Sequence, residues 1–343
     1  MIHPFAFRRF LCTLPILFFI LFSGCQSHQS ERTVVIYTSL DQVYSEPILQ
    51  EFQRRTGITV KPKYDVEAVK TVGLINAIVA EQGSPRCDVL WNNEVMHTII
   101  LKERGLLVSY PSPSAEDISE RFKDKQGFWT GMGARARVII YNKKILQPEQ
   151  VPNRLKDFLN PKWRGKGGIA LPLFGTTATH AAAIFSLWGE KEGKAFFQRL
   201  KDNGIVVCTG NAHVKDQVSS GELAFGLTDT DDAHIAFLAG SPTGVIFPDR
   251  EGMGVLILPC TVAMIKGSPH PKEANILIDY LISKEVEEKL AFGRSAQIPL
   301  HPGAKKPAHV PALEEIVSMK VDYEKMAALY PSSLEAMKEL FLR

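Results

Sequence analysis

Residues 223–237, Leu-Ala-Phe-Gly-Leu-Thr-Asp-Thr-Asp-Asp-Ala-His-Ile-Ala-Phe, join a short apolar run to a segment that opens with three aspartates. The run 223–227 has the length and composition of a buried β-strand, and the residues after it predict a helix. A buried strand that leads into a helix is the repeating unit of parallel α/β folds. Ligands of such folds bind just beyond the carboxyl ends of the strands, where helix N-termini present N–H groups.

The three aspartates at this corner are Asp229, Asp231 and Asp232. One explanation is helix capping, because Thr228 or Asp229 can cap a helix and carboxylates are favoured at its positive end. Capping needs only one such residue, however, and three carboxylates within four positions repel one another. We therefore predict that this corner binds a ligand.

The same strand-to-helix pattern recurs along the chain. Apolar runs that each precede a helical pattern lie at 33–38, 58–64, 87–91, 166–171, 206–207 and 223–227. Alternating strands and helices with short connections predict doubly wound, mostly parallel α/β sheets. Residues 129–142 and 255–265 read as longer strands, the second crossing between two lobes. Residues 271–292 predict one amphipathic helix, and residues 313–343 contain two further helical patterns.

Polar residues also gather at the other strand-to-helix corners. They are Ser39, Asp41, Asn93, Glu94, Gly175, Thr176, Thr177 and Asn211. Taken singly, Ser39, Asp41, Asn93 and Glu94 are each better explained as a helix cap than as a ligand contact. Gly175, Thr176 and Thr177 together predict a helix N-terminus with hydroxyls and free N–H groups, which suits an anion.

Two arginines, Arg135 and Arg137, lie two positions apart in the predicted strand 129–142. This spacing places both guanidinium groups on one face of the strand. A guanidinium buried in a sheet is costly unless it meets an anion or a carboxylate. A structural ion pair and a role in ligand binding explain this pair equally well.

The N-terminus predicts export. Arg8 and Arg9 precede the apolar run 10–22, which is too short to span a bilayer and is followed by Ser-Gly-Cys25. This order is typical of a secretory signal peptide over residues 1–24. Cys25 resembles the lipidated cysteine of a bacterial lipobox, and residues 25–32 would form a polar tether that anchors the chain to a membrane on the periplasmic side. The alternative is an ordinary signal peptide with a coincidental cysteine.

Composition limits the classes of function. The chain has 343 residues, of which 45% are hydrophobic and 22% charged, as expected for about two globular domains. Without residues 1–24 its net charge falls from +3 to +1, which gives no argument for a nucleic-acid partner. Cys87, Cys208 and Cys260 fit no zinc-binding spacing, and their disulfide state is open.

Five short motifs in order along residues 33–310 carry a family resemblance. They are Val-Val-Ile-Tyr-Thr-Ser at 34–39, Arg-Ala-Arg-Val-Ile-Ile-Tyr-Asn at 135–142, Asn-Pro-Lys-Trp-Arg-Gly at 160–165, Gly-Glu at 221–222 and Gln-Ile-Pro-Leu-His-Pro at 297–302. Together they resemble the ferric-ion-binding subfamily of bacterial extracellular solute-binding proteins.

The resemblance implies the type II periplasmic-binding-protein fold. Its two lobes are mostly parallel sheets flanked by helices and joined by crossing strands, and they close on a ligand like a hinged clamp. We expect lobe 1 at 33–133 with 262–312, and lobe 2 at 134–261 with 313–343. The resemblance also implies a monomeric transport protein without enzymatic activity, whose partners are the permease and ATPase subunits of an ABC importer.

The resemblance also implies a metal site, from which this chain departs. Iron-binding members hold the metal with a His, a Glu and two adjacent tyrosines, and they bind an extra anion at a helix start. In this chain the His position falls on Asp41, the Glu position on Asn93, and the tyrosine pair on Asp231 and Asp232. No phenolate is available at these positions, whereas the residues on the anion-binding side are present.

Two ligand chemistries fit these residues. One is a hard cation such as iron(III), held by Asp41, Asp231 and Asp232, with Glu94 as a further candidate and an anion or water completing the shell; no other cofactor is expected. The other is a small organic anion or zwitterion, such as an aminophosphonate or a sugar phosphate. Its negative end would lie at the helix starts, and its amine or hydroxyls at the aspartates.

Two other classes of protein are alternatives. An exported metal-dependent phosphoester hydrolase would also use an aspartate cluster. The sequence, however, contains no zinc-binding His pair, no nucleophile elbow and no phosphate-binding P-loop. A purely structural surface lipoprotein is disfavoured because polar residues converge at four strand-to-helix corners.

Overall fold

The computed structural model describes Met1 and residues 32–65 and 72–342, and the described residues from 32 onward belong to one compact unit. The rest of the predicted signal peptide, Cys25 and the tether up to residue 31 lie outside the described residues. Residues 66–71, where a helix is predicted to follow the apolar run 58–64, also lie outside them. Among the described residues, no helix is long and apolar enough to cross a membrane.

Strands and helices alternate through most of the chain, as predicted. The strands are β1 (Thr33–Thr38), β2 (Thr59–Tyr64), β3 (Val89–Asn92), β4 (Leu107–Val108), β5 (Thr130–Asn142), β6 (Gly167–Ala170), β7 (Val206–Cys208), β8 (Phe225–Asp229), β9 (Thr243–Ile246) and β10 (Ile257–Ile265). The helices are α1 (Gln42–Thr56), α2 (Val72–Ala80), α3 (Met96–Glu103), α4 (Gly175–Trp188), α5 (Glu190–Asp202), α6 (Asn211–Ser220), α7 (Thr230–Leu238), α8 (Pro271–Leu281), α9 (Lys284–Phe292) and α10 (Tyr323–Phe341).

Two sheets meet along β5. In the first lobe, β2, β1 and β3 are parallel, and β10 pairs antiparallel with β3, β4 and the first half of β5. In the second lobe, β7, β6 and β8 are parallel, and the second half of β5 pairs antiparallel with β8 and β9. We assign α1–α3, α8 and α9 to the first lobe and α4–α7 to the second. This arrangement confirms the predicted two-lobed α/β fold.

The position of β10 differs from the prediction of a strand that crosses between lobes. Its residues 257–262 pair with residues 130–136 of β5, so β10 belongs entirely to the first sheet. The strand that spans both sheets is β5, and the chain returns to the first lobe over residues 247–256. A continuous apolar run indicates burial on both faces but does not show which strand it pairs with.

The predicted helix 271–292 is two helices, α8 and α9, that are separated at Ile282 and Ser283. Ser283 has extended backbone angles, and its Oγ donates a hydrogen bond to the Tyr280 carbonyl at 2.7 Å. Such a side-chain bond competes with the helical ladder without disturbing the apolar spacing, so periodicity could not reveal the break. Of the two helical patterns predicted in the tail, only α10 is an α-helix; the other is a short 3₁₀ turn, Leu313–Glu315.

The C-terminal helix α10 contacts both lobes, packing against α3, α4 and α5. Near its start, Glu324 Oε1 lies 3.0 Å from Lys102 Nζ on α3 of the first lobe. Near its end, Glu339 Oε2 lies 2.5 Å from Lys194 Nζ on α5 of the second lobe. Pro331 lies inside the helix between these two contacts.

The three cysteines Cys87, Cys208 and Cys260 are buried as free thiols, which answers the question that the sequence left open. Burial raises the pKa of each thiol above its ordinary value. They therefore behave as small apolar core residues rather than as reactive groups.

Candidate functional site

A cavity of about 190 Å³ lies where residues of the two lobes meet. Its lining is Asp41, Asn93, Arg135, Ala170, Leu171, Phe174, Gly175, Thr176, Thr177, Thr209, Gly210, Asn211, Ala212, Asp231 and Asp232. This set includes nine of the twelve residues predicted from the sequence to contact a ligand. The volume is below the roughly 300–1,000 Å³ typical of pockets for drug-sized ligands.

Two helix N-termini open into this cavity. Helix α4 begins at Gly175, separated from the end of β6 by four residues, and α6 begins at Asn211 after β7. The first N–H groups of a helix have no partner within the helix, and its N-terminus carries partial positive charge. The two starts are tied together because Asn211 Nδ2 donates to Thr176 Oγ1 at 2.8 Å. We call this pair of helix starts, Gly175–Thr177 with Asn211 and Ala212, the anion cradle.

Gly175 is required by the backbone of the cradle. Its φ of +53° lies in the left-handed region that favours glycine, and a Cβ added there would meet nothing within 4 Å. The requirement is therefore conformational rather than steric. The turn from β6 into α4 brings the following residues, Thr176 and Thr177, to the cavity wall.

Asp229 lies behind this wall, with no exposed surface. Its Oδ1 is 2.6 Å from Arg137 Nη1. Its Oδ2 accepts hydrogen bonds from Thr176 Oγ1 at 2.7 Å and from Asn211 Nδ2 at 3.1 Å. Asp229 and Arg137 are also cross-strand partners in the β8–β5 ladder. Asp229 therefore joins two strands to both helix starts instead of facing the cavity.

The two arginines of β5 have different environments. Arg137 is 1% exposed and forms the ion pair with Asp229. Arg135 lines the cavity, and its Nη1 lies 3.4 Å from Asp229 and 3.7 Å from Asp231. Burial alone would lower the pKa of Arg135, but Asp231 and Asp229 raise it above its ordinary value. Within the described part of the chain, its buried Nε has no hydrogen-bond partner.

Three partly exposed carboxylates, Asp41, Asp231 and Asp232, line the cavity near this arginine. We call them the carboxylate rim. Asp41 precedes α1 of the first lobe, whereas the other two lie in the first turn of α7 of the second lobe. Oxygens of Asp229, Asp231 and Asp232 lie within 4.8 Å of one another. The rim could hold an amine, hydroxyls or a hard cation.

Two further predicted residues, Ser39 and Glu94, do not line the cavity. Ser39 Oγ accepts a hydrogen bond from Asn93 N at 2.9 Å, so it holds a residue that does line it. Glu94 is fully buried, and its carboxylate accepts from Met96 N at 2.7 Å and from Thr179 Oγ1 at 3.2 Å.

Glu94 is held in place from both lobes. Its Oε1 lies 2.7 Å from His97 Nδ1 on α3, whereas Thr179, which bonds its Oε2, belongs to α4 of the second lobe. Burial alone would raise the pKa of Glu94, but His97 and the backbone N–H groups lower it below its ordinary value. Glu94 thus caps α3 and links the lobes behind the cavity.

Sequence reasoning missed residues that belong to this region. Phe174, Leu171 and Thr209 line the cavity next to the cradle. Tyr44, on the first turn of α1, is half-buried; burial raises its pKa, and Asp231 and Asp41 raise it further. Polarity was the criterion for candidates at the corners, so the apolar lining residues gave no signal.

Comparisons with known proteins bear on the family and the fold of the chain. Residues 97–325 match the model of a family described as bacterial extracellular solute-binding protein. An Fe(3+)-binding periplasmic protein of Serratia marcescens is 22% identical over 306 residues, covering 87% of this chain and 88% of that protein.

Two solved structures show the same fold. Iron-bound HitA from Pseudomonas aeruginosa superposes with a TM-score of 0.82 at 23% identity, covering 90% of this chain and 99% of that one. The periplasmic binding protein AfuA from Actinobacillus pleuropneumoniae, with fructose-6-phosphate bound, gives 0.79 at 22% identity, covering 91% and 99%.

Proposed function

The chain belongs to the family of bacterial extracellular solute-binding proteins, and we propose that it captures a small solute between its lobes and delivers it to the permease of an ABC importer. The proposal includes export and a lipid anchor at Cys25 on the periplasmic side of a membrane. It assigns the protein no enzymatic activity. Its support is the family membership together with one cavity that gathers polar residues from both lobes.

We propose that the solute is a small organic anion or zwitterion. The observation that carries this choice is the division of charge in the cavity. The anion cradle and Arg135 offer N–H groups and positive charge, whereas the carboxylate rim offers three negatively charged hydrogen-bond acceptors. A phosphonate or sugar phosphate would place its acidic group at the cradle and its amine or hydroxyls at the rim.

Iron(III) with a synergistic anion is the second candidate. The names of the Serratia protein and of HitA favour it, as do the hard oxygen donors of the rim. Asp229 contributes little to such a site, because Arg137, Thr176 and Asn211 already occupy its oxygens. By the family resemblance, the tyrosine pair falls on Asp231 and Asp232, so we expect a metal here to have no phenolate from these positions.

Binding by lobe closure is part of the proposal. Residues of the first lobe (Asp41 and Asn93) and of the second (Thr176 and Asp231) share the cavity. A ligand that contacts both groups favours the closed arrangement by its differential affinity. We expect the radius of gyration in solution scattering to fall when the solute binds, and an identical profile would contradict closure.

The decisive experiment is to purify the protein without treatment and to analyse what it releases when denatured. Mass spectrometry that finds a phosphonate or phosphate ester supports the organic solute. Elemental analysis that finds stoichiometric iron supports the second candidate instead. Metal-dependent turnover of phosphate esters by the same preparation would contradict a transport protein and support a hydrolase.

A further inference from the structure

An aromatic side chain lies among the polar groups of the cavity. Phe174 precedes α4 directly and lines the cavity beside Gly175 and Thr176, yet 48% of its surface is exposed. Leu171 lines the cavity on the same turn. Phe174 and Leu171 therefore present apolar surface inside this cavity, where a solute bound at the anion cradle can cover it.

The backbone fixes Phe174 close to the anion cradle. It has extended angles, φ −141° and ψ 159°, and its carbonyl accepts a hydrogen bond from Ala178 N at 3.3 Å. The ring is therefore attached one residue before the N–H groups that would receive an acidic group. A carbon skeleton bonded to that acidic group can therefore contact the ring, which lines the same cavity.

We propose that Phe174 is a specificity-determining residue that selects anions whose acidic group is bonded to a carbon skeleton. This inference rests on the proposed function and deepens it. A carbon chain or sugar ring packs its C–H groups on the phenyl face and removes apolar surface from water. Inorganic phosphate, or a metal with a small anion, has no carbon skeleton to place there.

The test is calorimetric titration of the exported chain with three probes: fructose 6-phosphate, 2-aminoethylphosphonate and inorganic phosphate. For the wild type, we expect at least one organic probe to bind about 10-fold or more tightly than inorganic phosphate. Phe174→Ala should weaken the organic probe about 10-fold and leave inorganic phosphate unchanged. Phe174→Leu, which keeps an apolar surface, should lose less than Phe174→Ala.

Phe292→Ala is the matched control, because Phe292 is 62% exposed at the end of α9 and does not line the cavity. It should leave all three affinities unchanged. Equal weakening of all three probes by Phe174→Ala, or no weakening, overturns the specificity role while leaving the proposed function standing. A wild type that binds none of the probes overturns the proposed organic-anion function itself, and the inference falls with it.

Discussion

Asp229 and the pair Asp231 and Asp232 come from one turn of the chain but lie in two different regions. Asp229 belongs to a buried layer behind the cavity, where Arg137 and the cradle side chains use its oxygens. Asp231 and Asp232 belong to the carboxylate rim and remain partly exposed. An aspartate thus forms a structural ion pair at position 229, whereas aspartates two and three positions later line the cavity and can contact a solute.

This difference shows that depth below the cavity wall, rather than chemical type, separates scaffold from candidate ligand contacts. Residue 229 ends strand β8 opposite Arg137, whereas residues 231 and 232 begin α7. The strand register therefore supplies the buried residue with a partner of opposite charge. The helix turn carries the other two to the cavity.

The largest effect is expected from Asp229→Asn. Removing one member of a buried ion pair leaves Arg137 uncompensated, which typically costs about 3–5 kcal/mol in the free energy of unfolding. Urea unfolding measures this loss. Asp216→Asn, at an exposed position on α6, is the control and should change stability by less than about 0.5 kcal/mol. Equal stability of Asp229→Asn and Asp216→Asn would show that Asp229 has no structural role that separates it from the carboxylate rim.

The next effect concerns binding rather than stability. Asp231→Ala combined with Asp232→Ala should abolish binding of the solute identified from the purified protein. The melting temperature of the empty protein should change little, because the lost repulsion between the carboxylates offsets the lost attraction of Asp231 to Arg135, which keeps Asp229 at 3.4 Å. Calorimetric titration and thermal unfolding test the two halves of this statement. An unfolded double variant would make these aspartates structural caps and move the site elsewhere.

Thr176 lies at the boundary between the two regions, since it lines the cavity and donates to Asp229 at 2.7 Å. Thr176→Val keeps the shape and removes the hydroxyl, so we expect a loss of about 1–3 kcal/mol in stability. Affinity for the solute should fall severalfold in addition. Thr176→Ser, which keeps the hydroxyl, should retain most of both. A valine variant with unchanged stability would show that this bond does not hold the layer together.

The smallest effect is a pH dependence from His180, which is buried on α4 of the same layer. Burial lowers the pKa of His180 well below its ordinary value, and Arg137 lowers it further. The unfolded chain therefore binds the proton more readily. The stability that depends on an uncharged His180 is fully present above about pH 6.5 and is lost as pH falls below that value.

The free energy of unfolding at pH 5.5 should therefore be about 1 kcal/mol lower than at pH 7.5 because of His180. His180→Leu should reduce the loss of stability between these two pH values, as measured by urea unfolding at each pH. His213→Leu, at an exposed position on α6, should lose as much as the wild type. An unchanged pH dependence in His180→Leu would mean that His180 titrates normally.

The elements of this fold could be predicted because apolar periodicity and glycine stops are local signals. The strand 129–142 and the corner at 229–230 agree with β5, β8 and α7 to within two residues. The single helix predicted over 271–292 is two helices, and the strand predicted to cross between lobes pairs within the first sheet, since neither the break at Ser283 nor the pairing of β10 leaves a mark in the apolar pattern. Whether Glu94 faces the cavity depends on Thr179 from the other lobe, which no local pattern reveals.

Helix α10 forms an ion pair with Lys102 of the first lobe and another with Lys194 of the second lobe. Pro331 lacks an N–H group, so it cannot bond to the carbonyl four residues earlier, and a helix bends most easily at such a point. If the lobes rotate relative to one another, α10 has to bend, and we expect the bend at Pro331. A fluorophore at the C-terminus should then move with the second lobe alone, which makes the end of the chain a convenient position from which to measure the proposed lobe closure.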